Sequence, residues 1–458
     1  MTSGPAVRPI AVSSSALLAL HAQHPQRYPA LFESAAAGEP TGRFDILFAF
    51  PGARLTLDSQ GALTADADIG TGTDGTFLQA LDRWWERERL PPVADRHWPF
   101  TGGWLVYLGY ELAGQIEPRL QLPASPVGPM AQAVRVPVAV LLEHATGAAW
   151  VVAEPGAEAL IDAVLTDLAQ IEPGPAPGAL LRTAVVEDPP RDYLDAVERA
   201  LEYIAAGDVY QANLSRSYQA RLNDGVQPHH VYQRLRQTNP GPFCALALFD
   251  ALAIVSSSPE RLISVSDRWA ATRPIAGTRP RGHDKKADEQ LVRELRDHPK
   301  EQAEHVMLID LERNDLGRVC EAGTVQVDEY MTIESYAHVH HIVSNVRGRL
   351  RPEVTPGQAL AAVFPGGTIT GCPKVRCMEI IAELERTPRG VYTGSLGYLN
   401  RDGSMDFNIL IRSLAISGDT VSLRTGAGIV ADSIPERELE EARTKARGVL
   451  NALSERLP

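Results

Sequence analysis

Cysteine is scarce in this chain: four residues in 458 (Cys244, Cys320, Cys372, Cys377), with no CxxC among them. That spacing suggests neither a disulfide framework nor a zinc site, and it reads as reduced thiols in the core or near a site of a cytoplasmic protein. Long apolar runs are missing too. No segment approaches the ~18–20 apolar residues that a membrane span requires. The opening MTSGPAVRPIAVSSSALLALHAQ has a short apolar stretch but not the basic start and long apolar middle of a signal peptide. Positive charge is in deficit, with 44 Lys and Arg against 57 Asp and Glu, a net charge of −13. This balance argues against nucleic acid or anionic membrane as a partner. It leaves room for an anionic small substrate, because a few local cations or one bound metal reverse the field inside a pocket. Dinucleotide and P-loop fingerprints are absent, as are internal repeats and low-complexity tracts.

What is present is an ordinary folded composition, 44% hydrophobic and 22% charged. The length allows two or three average domains or one large two-lobed unit. The clearest seam is IEPGPAPGAL, Ile171 to Leu180, where no period survives. Before it, FDILFAF (Phe44 to Phe50), WLVYLGY (Trp104 to Tyr110) and VRVPVAVLL (Val134 to Leu142) read as strands. After it, EDPPRDYLDAVERALEYIAAGD reads as a helix ending at Gly207, with Leu194, Val197, Leu201 and Ile204 on its buried face. In the last third, YTGSLGYLN, SMDFNILIRSLAI and TVSLRTGAGIV alternate with the turn segments NRDGS and SGDT. They predict an antiparallel meander, closed by a helix from about Pro435 to Leu453. Strands in series with helices set apart indicate a layered α+β architecture.

Two helical segments carry carboxylates at metal-binding spacing. Glu301 and Glu304 lie three apart in HPKEQAEHVMLIDLERND; Glu438, Glu441 and Lys445 share one face of PERELEEARTKARGVL. Oxygen ligands on two rigid elements suit Mg²⁺, although the same spacing describes a solvated helix face. The glycine-rich turns IAGTRPRG, FPGGTITGCPK and RTGAGIV let backbone N–H groups approach an anion, and tight turns alone also account for them. Arg412 sits among Ile409, Leu410, Ile411 and Leu414, where a cation needs a carboxylate of the protein or of a ligand. His340 and His341 close SYAHVHH, and each alone reads equally as a structural histidine.

Taken together, PIAGTRPRG, KEQAEHVMLIDLERNDLGRVC, YAHVHHIVSNVRG, FPGGTITGCPKVRCMEII, YTGSLGYL and RTGAGIVADSIPERELEEARTKA resemble the chorismate-utilising enzyme family, in order, from about Pro189 to the C-terminus. The resemblance implies two stacked antiparallel β-sheets flanked by helices, as in anthranilate synthase component I. It also implies an N-terminal lobe, 1–185, packed on a chorismate-binding catalytic domain, 186–458. It implies Mg²⁺, with Glu304 and Glu441 closest and Glu301 and Glu438 adjoining. Arg412, Tyr392, Lys445 and the amides of Gly426, Ala427 and Gly428 resemble the clamp on the enolpyruvyl side chain and its carboxylate. Thr368, Gly277 and Thr278 resemble contacts to the other end of the substrate. Glu260 and His341 resemble the groups that handle the proton of the departing hydroxyl.

Gln211, in VYQANLSR, stands where water-adding members have a lysine base, and points to amination. Ammonia implies a separate glutamine amidotransferase subunit, because no nucleophile-elbow cysteine is visible here. RYPALFESAAAGEPTGRFDILFAFPG, GGWLVYLGYEL and NPGPFCALALFD resemble aminodeoxychorismate synthase component I, whose product 4-amino-4-deoxychorismate leads to para-aminobenzoate and folate. Ala276 in PIAGT departs from the lysine nucleophile of that enzyme and matches anthranilate synthase, which aminates C2 and releases pyruvate. Ser34 in LFES aligns with a serine that helps bind tryptophan in related enzymes; Phe32 and the Ala35 to Ala37 run depart from that pattern, and a serine bonded to backbone is the other reading.

Overall fold

The computed structural model describes residues 4–34, 43–70, 72–91, 97–125, 127–172, 174, 178–335 and 339–454. The Ala35 to Ala37 run, part of the Pro/Gly seam, and Tyr336 to His338 of SYAHVHH lie outside the described residues.

Among the described residues two antiparallel sheets form, of twelve and eleven strands. Each joins the first part of the chain to the later part. In the twelve-stranded sheet Ala30–Glu33 pairs with Phe243–Phe249; in the eleven-stranded sheet Gly103–Leu108 pairs with Ser395–Asn400. The sheets stack through a shared core that includes Phe48, Ala139, Leu141 and Ile254 from one and Leu105, Tyr107, Val134 and Leu396 from the other. Alternate side chains on a strand face opposite sides, so the outer faces need cover of their own. Helices Phe77–Glu88, Pro299–Gly317 and Pro356–Val363 cover the eleven-stranded sheet. Helices Ser14–Gln23, Leu160–Ala169 and Pro228–Thr238 cover the other. Helices Pro190–Ala205 and Lys374–Glu385, with the start of Pro435–Leu450, pack around Leu214, Ala427 and Ile429. The α+β layering matches the expectation.

Three sequence expectations need correction, all concerning where a strand ends. WLVYLGY is a strand only to Leu108; Tyr110–Leu112 turn into a 3₁₀ helix. VRVPVAVLL is two strands in different sheets: Ala131–Val136 belongs to the eleven-stranded sheet and Val138–Glu143 to the twelve-stranded one. Pro137 between them has no N–H for a ladder. SMDFNILIRSLAI likewise splits. Met405–Ile409 pairs with Ser395–Asn400, whereas Ser413–Ser417 pairs with Leu252–Ser258 and Thr420–Ile429 in the other sheet. The expected meander is therefore two hairpins, one per sheet. Arg412 is not within a strand but at the crossing, with φ +52°, a conformation costly for a residue with a side chain.

A parallel crossing carries Leu252–Ser258 into Arg261–Ser266. Glu260 lies in that link. The two crossings are bonded side by side: Ile409 N donates to Glu260 O at 3.0 Å, and Ser257 N to Arg412 O at 3.2 Å.

Candidate active site

The paired crossings set Glu260 and Arg412 at the rim between the sheets. Glu260 is 4% exposed. Burial pushes its carboxyl up to about 7, against the pull of the Thr368 side chain, the Ile275 N–H, and the Arg412 and Lys445 charges. Thr368 comes from the turn after helix Pro356–Val363, in the 3₁₀ segment Gly367–Ile369. Its Oγ1 is buried beside Glu260, without a well-aligned hydrogen bond among the described residues.

Strand Ile275–Pro280 runs antiparallel to Val339–Arg349, pairing Ala276 with Ile342 and Thr278 with His341. The register slips between Ala276 and Thr278, where Gly277 takes φ +66°, a bulge that suits glycine. Thr278 Oγ1 meets His341 Nδ1 at 2.9 Å. Burial first, then the Arg412 charge, push His341 down to about 3, with the Gly277 backbone opposing; the imidazole is neutral at physiological pH. Ala276 is buried, and its methyl offers no nucleophile. A side chain at Gly277 would meet Glu301 Oε2 at 2.8 Å, so Glu301 lies against this bulge, where it also accepts from Arg279 Nη1 at 3.1 Å.

Gln211 opens strand Gln211–Arg221, which pairs along its length with Thr420–Ile429. Its Nε2 donates to Glu304 Oε1 at 3.3 Å, and a side chain at Gly428 would collide with that same amide at 2.2 Å. Gly428 is therefore required for Gln211 to reach Glu304. Ser413–Ser417 pairs with Thr420–Ile429 only as far as Leu423. From Arg424 through Gly428 that second strand edge has no strand partner among the described residues. Lys445, from the closing helix, donates to Gly426 O there at 3.1 Å and pairs with Glu441 at 2.8 Å. Thr425 Oγ1 pins the helix by donating to Ala442 O at 2.8 Å.

Gly426 and Gly428 are two apart on one strand and so share a face. Glu441 reaches that face through Lys445 and Glu304 through Gln211. Tyr392 and Tyr193 complete the surround: both phenols are pushed up, mainly by burial, and Tyr193 also feels Tyr392, Glu438 and Glu441. The Arg389 guanidinium lies 5.4 Å from the Tyr392 ring centre and donates to Glu385 Oε1 at 2.6 Å.

Fifteen of the sequence-nominated positions thus join one connected neighbourhood of contacts and fields: Gln211, Glu260, Ala276, Gly277, Thr278, Glu301, Glu304, His341, Thr368, Tyr392, Arg412, Gly426, Gly428, Glu441 and Lys445. Ala427 lies between the two glycines and faces the helix-covered core instead. Glu438 enters through its field on Tyr193. Among the described residues no three His, Cys, Asp or Glu side chains form a ready-made metal cage. The donor chemistry nevertheless suits Mg²⁺, which takes one or two carboxylates and fills its remaining positions with water and substrate oxygens.

Ser34 is elsewhere. It lines a pocket of about 330 Å³ between the sheets, with Phe32, Phe44, Trp98, Tyr398 and Met405. Its N–H donates to Asp45 Oδ1 at 3.2 Å, and its buried Oγ has no hydrogen-bond partner among the described residues. Sequence reasoning missed Glu312, which is 5% exposed on helix Pro299–Gly317. Its signal was a carboxylate in the buried stripe His305, Leu308, Ile309, Glu312, Leu316.

A family profile described as "chorismate binding enzyme" matches residues 34–451. The chain belongs to this family of chorismate-binding enzymes. Aminodeoxychorismate synthase component 1 of Bacillus subtilis is 40% identical over 395 residues, 83% of this chain and 83% of that protein. Anthranilate synthase component 1 of Thermus thermophilus is 43% identical over 376 residues, 80% and 81% respectively. The crystal structure of anthranilate synthase component I from Streptococcus pneumoniae superposes with a TM-score of 0.78 at 32% identity, covering 90% of this chain and 93% of that one. No helix among the described residues is long and apolar enough to cross a membrane.

Proposed function

We propose that this enzyme aminates chorismate with ammonia supplied by a glutamine amidotransferase subunit, giving 4-amino-4-deoxychorismate. Gln211 carries the amination reading: it donates its amide to Glu304 and has no basic atom with which to deprotonate water, whereas ammonia attacks with a free lone pair. Arg412 and Lys445 bind the substrate carboxylates. Glu260, with its carboxyl near 7, holds a proton to give to the departing hydroxyl oxygen. Neutral His341, fixed by Thr278, orients that hydroxyl. Glu304 and Glu441, with Glu301 and Glu438 beside them, would hold Mg²⁺, which supplies Lewis-acid polarisation of the allylic system when bound.

Amination at C4 is favoured by the resemblance of the N-terminal half to aminodeoxychorismate synthases. Ala276 favours the second reading, amination at C2 giving anthranilate. Incubation with chorismate, ammonium and Mg²⁺, followed by mass spectrometry and NMR of the product, separates the two. 4-Amino-4-deoxychorismate supports the proposal; anthranilate with pyruvate overturns it.

A further inference from the structure

Glu312 sits at a core position of helix Pro299–Gly317, one turn before Asp315. Asp315 is itself buried and accepts from Lys374 Nζ at 2.6 Å, while that ammonium also donates to Val363 O at 3.0 Å. Asp315 and Lys374 both line a cavity of about 750 Å³, with Met307, Leu311, Phe364 and Cys372. The same two segments flank Glu312 and Glu260, and the Glu260 charge is felt at Glu312. On one segment, the Thr272 hydroxyl lies beside Glu312 and the Ile275 N–H points to Glu260. On the other, Thr368 lies beside Glu260, and a methyl added at Gly367 would lie 3.5 Å from Glu312 Oε1. The Thr272 and Thr368 hydroxyls are both buried, and neither has a well-aligned partner among the described residues, so the proton of each is uncommitted.

Glu260 is enclosed, and a substrate seated against it closes its remaining access. An acid that gives up a proton in every turnover needs a route by which to regain it. We propose that Glu312, linked to the cavity by the Asp315–Lys374 pair, reloads Glu260 with a proton after each turnover.

The proton count closes. The Glu260 carboxyl gives its proton to the leaving hydroxyl, which departs as water. Glu312 then gives its proton to the Glu260 carboxylate through the Thr272 and Thr368 hydroxyls and a water that bridges them, each accepting one proton and passing on its own. Glu312 recovers a proton from the Lys374 ammonium, and the resulting amine from water in the cavity. The proton lost by the attacking ammonia returns to solvent and restores the balance. The charges facing Glu312 agree with a proton-bearing group. Burial foremost, then Asp315, push it up to about 8; Lys374 opposes this and Glu260 adds to it.

This inference rests on Glu260 acting as the acid and not on which ring carbon is aminated. The test uses the full chain with chorismate, Mg²⁺ and ammonium, following kcat and KM from pH 6 to 9. Glu312→Gln should lower kcat at least about tenfold with KM for chorismate unchanged. It should also displace the alkaline limb of the kcat profile, and Glu312→Asp should recover part of the loss. Should Glu312→Gln not fold, Thr272→Val removes one hydroxyl at constant shape and should move kcat in the same direction. A folded Glu312→Gln enzyme with wild-type kcat and pH profile, or with only KM altered, overturns the relay. Full activity in Glu260→Gln would instead overturn the assignment of the acid, whatever Glu312→Gln does.

Discussion

At the scale of single residues, the candidate site depends on small atoms as much as on charged ones. Gly428 leaves the space in which the Gln211 amide reaches Glu304, and a side chain there would overlap it. Replacing Gln211 with Lys puts an amine in that space, beside the Glu304 carboxylate and with a base's capacity to take a proton from water. Isochorismate-type hydroxylation should then appear at the expense of amination, as chromatography of the products would show; amination alone would remove Gln211 from the choice of nucleophile. Ala276→Lys introduces an amine near C2, and intact-protein mass would reveal a trapped adduct. Glu304→Ala and Glu441→Ala each remove a hard oxygen from the proposed Mg²⁺ set. Both should lose turnover by a hundredfold or more, about 3 kcal/mol or above, with the melting temperature close to wild type. Near-normal activity in either at saturating Mg²⁺ would assign the metal elsewhere.

At the scale of elements, what matters is where a strand stops. The link after Leu252–Ser258 and the link after Met405–Ile409 cross between sheets side by side, and their backbone bonds set Glu260 beside Arg412. The φ of +52° at Arg412 is the local cost of that corner. The closing helix acts in the same manner, since Thr425 fixes it on the glycine strand and so brings Lys445 to Gly426. A third element-level feature is the pocket between the sheets that holds Ser34. Its volume of about 330 Å³, its aromatic lining and a serine hydroxyl without a partner among the described residues leave room for a small amphipathic ligand, and we propose tryptophan as the one to test. Calorimetry should record heat on tryptophan addition, diminished in Ser34→Ala; no heat, together with unaltered activity, would dismiss the pocket as a ligand site.

At the scale of the whole molecule, buried titratable groups set the dependence of stability on pH. Burial foremost holds Glu33 and Glu260 near 7 and Glu312 near 8, all above the ordinary carboxyl value of 4.5. Each binds more protons folded than unfolded, so each stabilises the fold below the unfolded value and loses that contribution as pH rises through the folded one. His21 and His305 are held near 4 and His341 near 3 by the same burial. They act in the opposite sense, adding stability as pH rises from about 4 to 6.5 and nothing further above that. The two sets oppose each other below pH 6.5, and only the acids remain above it. The melting temperature should therefore fall between pH 6.5 and 8, and less steeply in Glu312→Gln. Scanning calorimetry across that range checks both; a rise in wild type would show these carboxyls to be ionised in the folded protein.

The sequence by itself determined the layered α+β class, the helices that carry Glu301, Glu304, Glu438 and Glu441, and the family, because periodicity and motif spacing are local properties written along the chain. Only the tertiary structure decided that VRVPVAVLL and SMDFNILIRSLAI each serve two sheets. An apolar run buried on both sides has the same pattern whether it stays in one sheet or changes to the next, and what ends it is pairing with strands distant in sequence. The same holds for Glu312. Its neighbours along the helix mark a core position, but that it lies beside Thr272 and Gly367 and in the field of Glu260 follows from the packing of segments some forty to fifty-five residues away, which no local pattern records.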